Sequence, residues 1–423
     1  MSEIDAIVSK ANRLHESRFQ AFRFHAPNPA ELHIKCGLPI QAVRIELPRK
    51  ACLHVHSVSF VDSTGARLKA SVANVQASSN YDNADGAAWL ARIVEPDGAH
   101  PFAVHTLADS NPWIQLNLAE PISAAAIVIR NRAGRTARRT VGLSVSVLVD
   151  GAWTIVYDDE SEFRRFVSEV AGHRHETGSD PDLLRGVAEV ACSAIAYRYD
   201  GIQRVLDAQA LAPGQVAELK RAINERVLRV RELEWTSHGV RRSFRFWSRK
   251  EQEDYVALAV KVCEDLGSVS DDVCFGFGSV LAIVREGGLI QHDDDLDIIV
   301  AFDKSKVEGI KAALGVVREC LVAKGYKVQG NFFSHWHVLR GGRKVDVFVG
   351  LVEEGQIGWF PGRRRAFRKE EVFPARTAEF LGSTCPVPRD VERYLSETYG
   401  ANWRTPAPGW RHDWDRGAYL DLV

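Results

Sequence analysis

The chain has 423 residues, with 54 Lys and Arg against 55 Asp and Glu, for a formal net charge of −1. That balance excludes a nucleic-acid partner held mainly by bulk charge. The length allows two or three domains, each with a sizeable core.

In chain order, residues 1–30 read as a short amphipathic helix, MSEIDAIVSKANRLHESRF, and an extended HAPNPA segment. The helix is polar on one side and lacks the character of a signal peptide. From 31 to 158, AVRIELP, HVHSVSFVD, WIQLNL, AAAIVIRN, LSVSVLVD and WTIVYD read as strands rich in β-branched residues, with turns at Ser63-Thr64-Gly65 and Asp150-Gly151. This is expected to be an all-β sandwich. Helical periodicity then marks 159–249 as a connector, broken at Pro213-Gly214. Its cluster Arg241, Arg242, Arg245, Arg249 and Lys250 reads as a solvated face within reach of a phosphate-rich substrate. Residues 250–423 alternate strand and helix, which predicts an α/β domain.

Seven cysteines are scattered through the chain and none is spaced CxxC, which fits a reduced compartment without structural zinc. No apolar run approaches the ~18 residues of a membrane span. The expected location is cytoplasmic, with peripheral association at the inner face of a membrane still compatible.

The chemistry concentrates in FGFGSVLAIVREGGLIQHDDDLDIIV, residues 275–300. Read as a strand, DDDLDIIV puts Asp293, Asp295 and Asp297 on one face, with neighbouring Cα atoms roughly 6.5–7 Å apart. Carboxylates so crowded need a countercharge, and Mg²⁺, which prefers hard oxygens and substrate phosphates, would supply it, with Mn²⁺ as the alternative. Asp294, on the other face, is read as a strand-end or surface carboxylate. Just upstream, Gly278 and Ser279 open a short helix that Gly287-Gly288 ends. Ser279 would cap it, its free N–H groups would bind an anion, and Arg285 would reach a phosphate.

Farther on, SHWHVLRGGRKVDVFVG reads as a hairpin about Gly341-Gly342. A two- or four-residue loop pairs Leu339 with Lys344 and sets His337 opposite Asp346. Asp346, flanked by Val345, Val347 and Phe348, is then a buried acid that completes the metal site, accepts a proton, or pairs with Lys344 or His337. His335 and His292 are read as packing or hydrogen-bonding residues. The expected catalytic set is Asp295, Asp297, Asp346 and His337, with Asp295, Asp297 and Asp346 on the metal. Gly278, Ser279, Arg285, Asp293 and Lys344 are expected to bind substrate.

These motifs together resemble the LicD family of the nucleotidyltransferase-fold superfamily, which includes fukutin-like proteins. Gly278, Ser279, Arg285, His292, Asp293, Asp295 and Asp297 match its Gly-Ser and Asp-rich pattern, and Asp346 matches its later strand acid. PVPRDVERYLSETYGANWRTP matches its C-terminal pattern through Tyr394, Leu395, Tyr399, Gly400 and Trp403, so the likeness covers about 250–410. His292 departs from it, standing where an aromatic such as Trp is common. The resemblance implies transfer of a phospho-substituted group, such as phosphocholine or a phospho-polyol, from a CDP-type donor to a glycan hydroxyl. A nucleotidyltransferase acting on a small molecule or protein needs the same parts, and a non-catalytic glycan-binding protein is the other alternative.

The β segment resembles a discoidin or galactose-binding-like sandwich through Trp113–Leu118, Asn131-Arg132, Asp150-Gly151 and Trp153. Such domains bind glycans or only pack. Arg130, Arg132, Arg135, Arg138 and Arg139 are read as a solvated loop or an anion patch.

Overall fold

The computed structural model describes residues 2–94, 100–172, 181–236, 238–330, 332–407 and 415–422. The chain divides into two compact units, Met1–Arg231 and Glu232–Val423.

In the first unit, two antiparallel sheets share one core. The smaller runs Leu32–Lys35, Ala126–Arg130, Ser57–Val61, Arg67–Leu68. The larger runs Ala152–Asp158, Ser144–Val149, Pro39–Glu46, Trp113–Ser123, Val72–Ala77. Alternation explains the packing: Val43, Ile45, Ile114, Leu116, Val145 and Val147 face Val58, Phe60, Ile127 and Ile129. Every segment read as a strand from the sequence contributes at least one, and HVHSVSFVD gives two, His54–Val55 and Ser57–Val61.

Helix Glu3–Ser17 packs on helices Asp159–Ala171, Pro181–Ile195 and Pro213–Ile223 in this same unit. The interval 159–249 is thus divided, with its helices up to Arg231 in the first unit and the rest in the second. Asp159, fully buried, ties sandwich to helices by pairing with His25 (2.9 Å) and Arg198 (2.6 Å) and accepting the Gly142 N–H (2.7 Å).

The second unit is built on a mixed sheet in the order Val273–Phe275, Asp297–Asp303, Arg343–Glu353, His335–Arg340, Lys327–Gln329. Asp297–Asp303 and Arg343–Glu353 run parallel, and the other neighbours antiparallel. From Val345 to Glu353 the long strand is buried at every residue, as a central strand covered on both faces must be. Gly341 and Gly342 form its hairpin turn with φ of 58° and 77°, a conformation only glycine adopts freely. The register is the expected one: Leu339 pairs with Lys344 and His337 with Asp346.

Helix Arg249–Leu266 begins at a capping box: Ser248 Oγ accepts the Glu251 N–H (3.2 Å) and Glu251 accepts the Ser248 N–H (2.8 Å). It buries Tyr255, Val256, Ala259, Val262 and Leu266 in the core of the unit. Its basic flank is a paired surface, with Arg242 on Glu251 (2.8 Å), Arg245 on Glu234 (3.5 Å), Arg249 on Glu253 (2.8 Å) and Lys250 on Asp254 (2.8 Å). Among the described residues, no helix is long and apolar enough to cross a membrane.

Candidate active site

Strand register assembles the site. Asp297 pairs with Asp346 across the parallel ladder, and Asp346 pairs with His337 across the hairpin. Directly opposed residues share a face, so His337, Asp346 and Asp297 form one transverse row over three strands.

The strand starts at Asp297, not at Asp293, which corrects the reading of DDDLDIIV as a single strand. Residues 293–296 are irregular because their backbone groups bond elsewhere. Leu296 N–H donates to the Tyr255 hydroxyl (2.9 Å), Phe244 N–H to the Asp293 carbonyl (2.9 Å) and Asp294 N–H to Asp293 Oδ1 (3.0 Å). Asp293 still turns inward. A Cβ on Gly278 would lie 3.1 Å from Asp293 Oδ2, so glycine is what lets that carboxylate approach the turn, while Asp297 Oδ2, at 3.9 Å, would be in ordinary contact.

That turn is held from two sides. Phe277 has a strained φ of 42°, and its N–H donates to the Tyr394 hydroxyl (2.8 Å). A Cβ on Gly276 would meet Ile299 at 2.6 Å. The helix cap is Gly276, not Ser279. Ser279 lies inside the helix, almost fully buried, where its Oγ accepts the Asp297 N–H (2.7 Å). Ser279 therefore ties the turn to the aspartate strand instead of offering a free hydroxyl.

Countercharge comes from the chain itself. Lys344 Nζ lies 2.9 Å from Asp295 Oδ2 and 3.1 Å from Asp346 Oδ2. Burial works against this ammonium, yet Asp295 and Asp346 hold its pKa well above the ordinary lysine value. His238, at the turn between strands Glu234–Thr236 and Gly239–Arg241, bonds Asp294 through Nδ1 (3.0 Å). That bond, opposed by burial and aided by Asp295, raises His238 to about 9. Asp294 is thus an ion-paired, partly buried acid, not a surface one; against the cost of burial, His238, Lys344 and Arg241 keep it below the usual range.

The remaining acids are under-compensated. Burial and then the charge of Asp295 raise Asp293 to about 7. Burial, opposed by Lys344 and joined by Asp295, raises Asp346 to about 7. Asp297 is pushed well above the carboxylate range by burial and by Asp295, Asp346 and Asp293. Asp346 Oδ1 is buried with no hydrogen-bond partner. His337 Nε2 lies 3.6 Å from Asp346 Oδ2; burial and then the Lys344 charge lower His337, while burial, then the His337 and Lys344 charges, lower His335 to about 4.

Thus Gly278, Ser279, Asp293, Asp295, Asp297, His337, Lys344 and Asp346 come together. Arg285 is engaged elsewhere, by the Trp403 carbonyl (2.9 Å) and Glu286 (2.7 Å), and His292 is exposed on the preceding turn. Sequence reasoning missed His238 and Tyr255. His238 carries no signal in TSHGV, and Tyr255 reads only as a core position of an amphipathic helix.

Among solved structures, the chain is similar to ANT(2")-Ia in complex with adenylyl-2"-tobramycin, at 14% identity over 37% of this chain and 80% of that one, TM-score 0.25. It is also similar to the solution structure of the antibiotic-resistance factor ANT(2'')-Ia, at 13% identity over 39% and 83%, TM-score 0.25. Likeness that weak bears on neither fold nor chemistry. No curated protein matches the chain. A family model described as LicD/FKTN/FKRP, nucleotidyltransferase domain, matches residues 271–390, a span that contains the whole carboxylate row and the Gly278–Ser279 turn. No family model supports the galactose-binding-like likeness of the sandwich. Over residues 271–390 the chain is similar to the LicD-type nucleotidyltransferase domain.

Proposed function

We propose that the second unit transfers a phospho-substituted group, of phosphocholine or phospho-polyol type, from a CDP-class nucleotide donor to a hydroxyl of a cell-surface glycan. The observation that carries this reading is the row His337, Asp346 and Asp297, joined by Asp293 beside Gly278. The LicD-type domain match supports a transferase of this kind.

The donor set suits Mg²⁺, or Mn²⁺, because it offers hard carboxylate oxygens. The unpartnered Asp346 Oδ1 and the uncompensated Asp297 are groups that a dication would satisfy. Asp295, Asp297 and Asp346 would hold it, and the ion would neutralise charge on the transferring and leaving oxygens.

The chain's own residues do the rest. Tyr394 and Ser279 hold the turn against the aspartate strand, and Lys344, partly exposed, presents a cation to donor phosphate. The acceptor oxygen bonds to the distal phosphorus, the bond to the nucleotide's phosphate oxygen breaks, and a nucleoside monophosphate leaves. Asp346 has two roles open to it: third ligand, or acceptor of the hydroxyl proton. The sandwich of the first unit is assigned to the glycan, where a second contact on a polymeric acceptor raises its effective concentration.

A thermal-shift screen of CDP-choline, CDP-glycerol, CDP-ribitol and UDP-sugars with Mg²⁺ tests the donor class. A CDP donor should raise the melting temperature in the wild type and not in Asp297→Asn. A shift with UDP-sugars alone would reject the CDP assignment.

A further inference from the structure

Two imidazoles face Asp346 from the adjacent strand. His335 and His337 stand two residues apart on His335–Arg340, so both leave the same face of the sheet, and His337 is the cross-strand partner of Asp346. One ligand-capable atom from each of His335, His337 and Asp346 lies within 4.8 Å of the other two.

The rings are held in place. His335 stacks between Phe332 (centroids 4.1 Å apart, planes 15°) and Phe348 (4.6 Å, 27°). Its Nδ1 lies 3.1 Å from the buried Ser334 Oγ, which leaves Nε2 for another partner. A hydrogen bond of this kind on the far ring nitrogen is how proteins fix the tautomer of a metal-binding histidine. On the acid side, Asp346 is 7% exposed, and its Oδ1 has no donor. A buried carboxylate oxygen left in that state is costly unless something arrives to pair with it.

Together these observations describe a mixed nitrogen and oxygen donor set beside the carboxylates. We propose that His335, His337 and Asp346 form a site for a first-row transition-metal dication, Zn²⁺ being the best fit among them. Imidazole nitrogen raises affinity for such ions over Mg²⁺, and three protein ligands with one open position is the arrangement of catalytic zinc. Tetrahedral bonding at ordinary Zn–N and Zn–O lengths sets ligand atoms ~3.4 Å apart. His337 Nε2 and Asp346 Oδ2 already stand at 3.6 Å. Lys344, which also touches Asp346, keeps Asp295 as its other partner when the ion is bound. The site shares Asp346 with the carboxylate set described above and gives that residue a ligand's role. It stands on the two histidines, so it succeeds or fails separately from the phosphotransfer reading.

Co²⁺, a coloured stand-in for Zn²⁺, tests the site in the full chain stripped of metal. One equivalent should give the visible bands of a tetrahedral nitrogen and oxygen environment, persist in excess Mg²⁺ and be displaced by Zn²⁺. His335→Gln and His337→Gln should each weaken Co²⁺ binding by about 100-fold or more, since losing a ligand exceeds the loss for an outer-shell partner. Asp297→Asn should keep the bands. Absence of bands in the wild type, insensitivity to both histidines, or equal loss in Asp297→Asn would overturn the proposal. Should the histidine variants fail to fold, crystals of the unaltered protein soaked in Zn²⁺ decide it at the zinc absorption edge. An anomalous peak within bonding distance of both imidazoles supports the site, and a peak elsewhere or none overturns it.

Discussion

Lys344 reaches Asp295 across the site at 2.9 Å, and the same ammonium touches Asp346 at 3.1 Å. Part of the charge that crowded carboxylates demand is therefore supplied by the chain, on the strand that also carries Asp346. Lys344→Met should lower the metal-free stability of the second unit by about 1–3 kcal/mol, the range for a charged hydrogen-bonded group. It should also enlarge the rise in melting temperature on adding Mg²⁺, because two acids then lose their nearest cation. An Mg²⁺ shift no larger than that of the wild type would show that Lys344 does not share the cation's place.

Asp297 has the opposite character. It is crowded by Asp293, Asp295 and Asp346, and it has no ion partner of its own among the described residues. Asp297→Asn should leave the metal-free melting temperature unchanged or raise it, and cut turnover by about 10²–10³, the scale of losing a comparable electrostatic contact. Near-wild-type turnover at saturating Mg²⁺ would remove Asp297 from the metal set.

Tyr255 acts at one remove. Its hydroxyl accepts the Leu296 N–H (2.9 Å) and donates to the Lys344 carbonyl, so it joins the loop bearing Asp295 to the strand bearing Asp346. Tyr255→Phe should cost about 1–3 kcal/mol and weaken Mg²⁺ binding as Asp295 loses its support. Tyr326→Phe is the matched control, since Tyr326 bonds Asp265 (2.9 Å) away from the carboxylate row. Comparable destabilisation with unchanged Mg²⁺ affinity is expected there. Equal effects on Mg²⁺ affinity in the two variants would make Tyr255 merely structural.

Acid should weaken the second unit through Glu353. Its carboxylate is 4% exposed and meets Arg364 at 2.6 and 2.7 Å and Lys304 at 3.1 Å. The Arg364 hydrogen bond, opposed by burial and aided by Arg365 and Lys304, lowers it to about 2. An unfolded glutamate titrates near ~4.3, so between these values the unfolded chain binds more protons and stability rises with pH. The contribution is complete above ~4.3 and lost as pH falls through about 2. Denaturant unfolding from pH 2 to 6 should show this limb, flattened in Glu353→Gln. An unchanged slope in the variant would assign the acid sensitivity elsewhere.

How much was legible depended on the range of the contacts involved. Gly341-Gly342 forces a two-residue loop, and alternation does the rest, so the pairing of His337 with Asp346 could be counted out residue by residue. Six strands of the sandwich were equally visible from their own β-branched alternation, whereas Leu32–Lys35, Arg67–Leu68 and Val72–Ala77, short or mostly exposed, were not read. Where the aspartate strand begins was not visible. That is decided by the hydroxyl of Tyr255, 41 residues before Leu296 in sequence. His238, 56 residues from Asp294, was hidden for the same reason. Ser279 was misread as a cap because a helix-start serine looks the same whether its oxygen faces its own turn or a neighbouring strand.

Product analysis tests the central claim most directly. The full chain is incubated with Mg²⁺, a CDP-linked donor chosen by the thermal-shift screen and a glycan acceptor, and the products are read by mass and ³¹P NMR. The account predicts release of CMP and an acceptor that gains a phosphodiester-linked substituent without a nucleobase, in the wild type and not in Asp297→Asn. An acceptor that retains the nucleotide, or no turnover of any nucleotide donor in an intact protein, would contradict it.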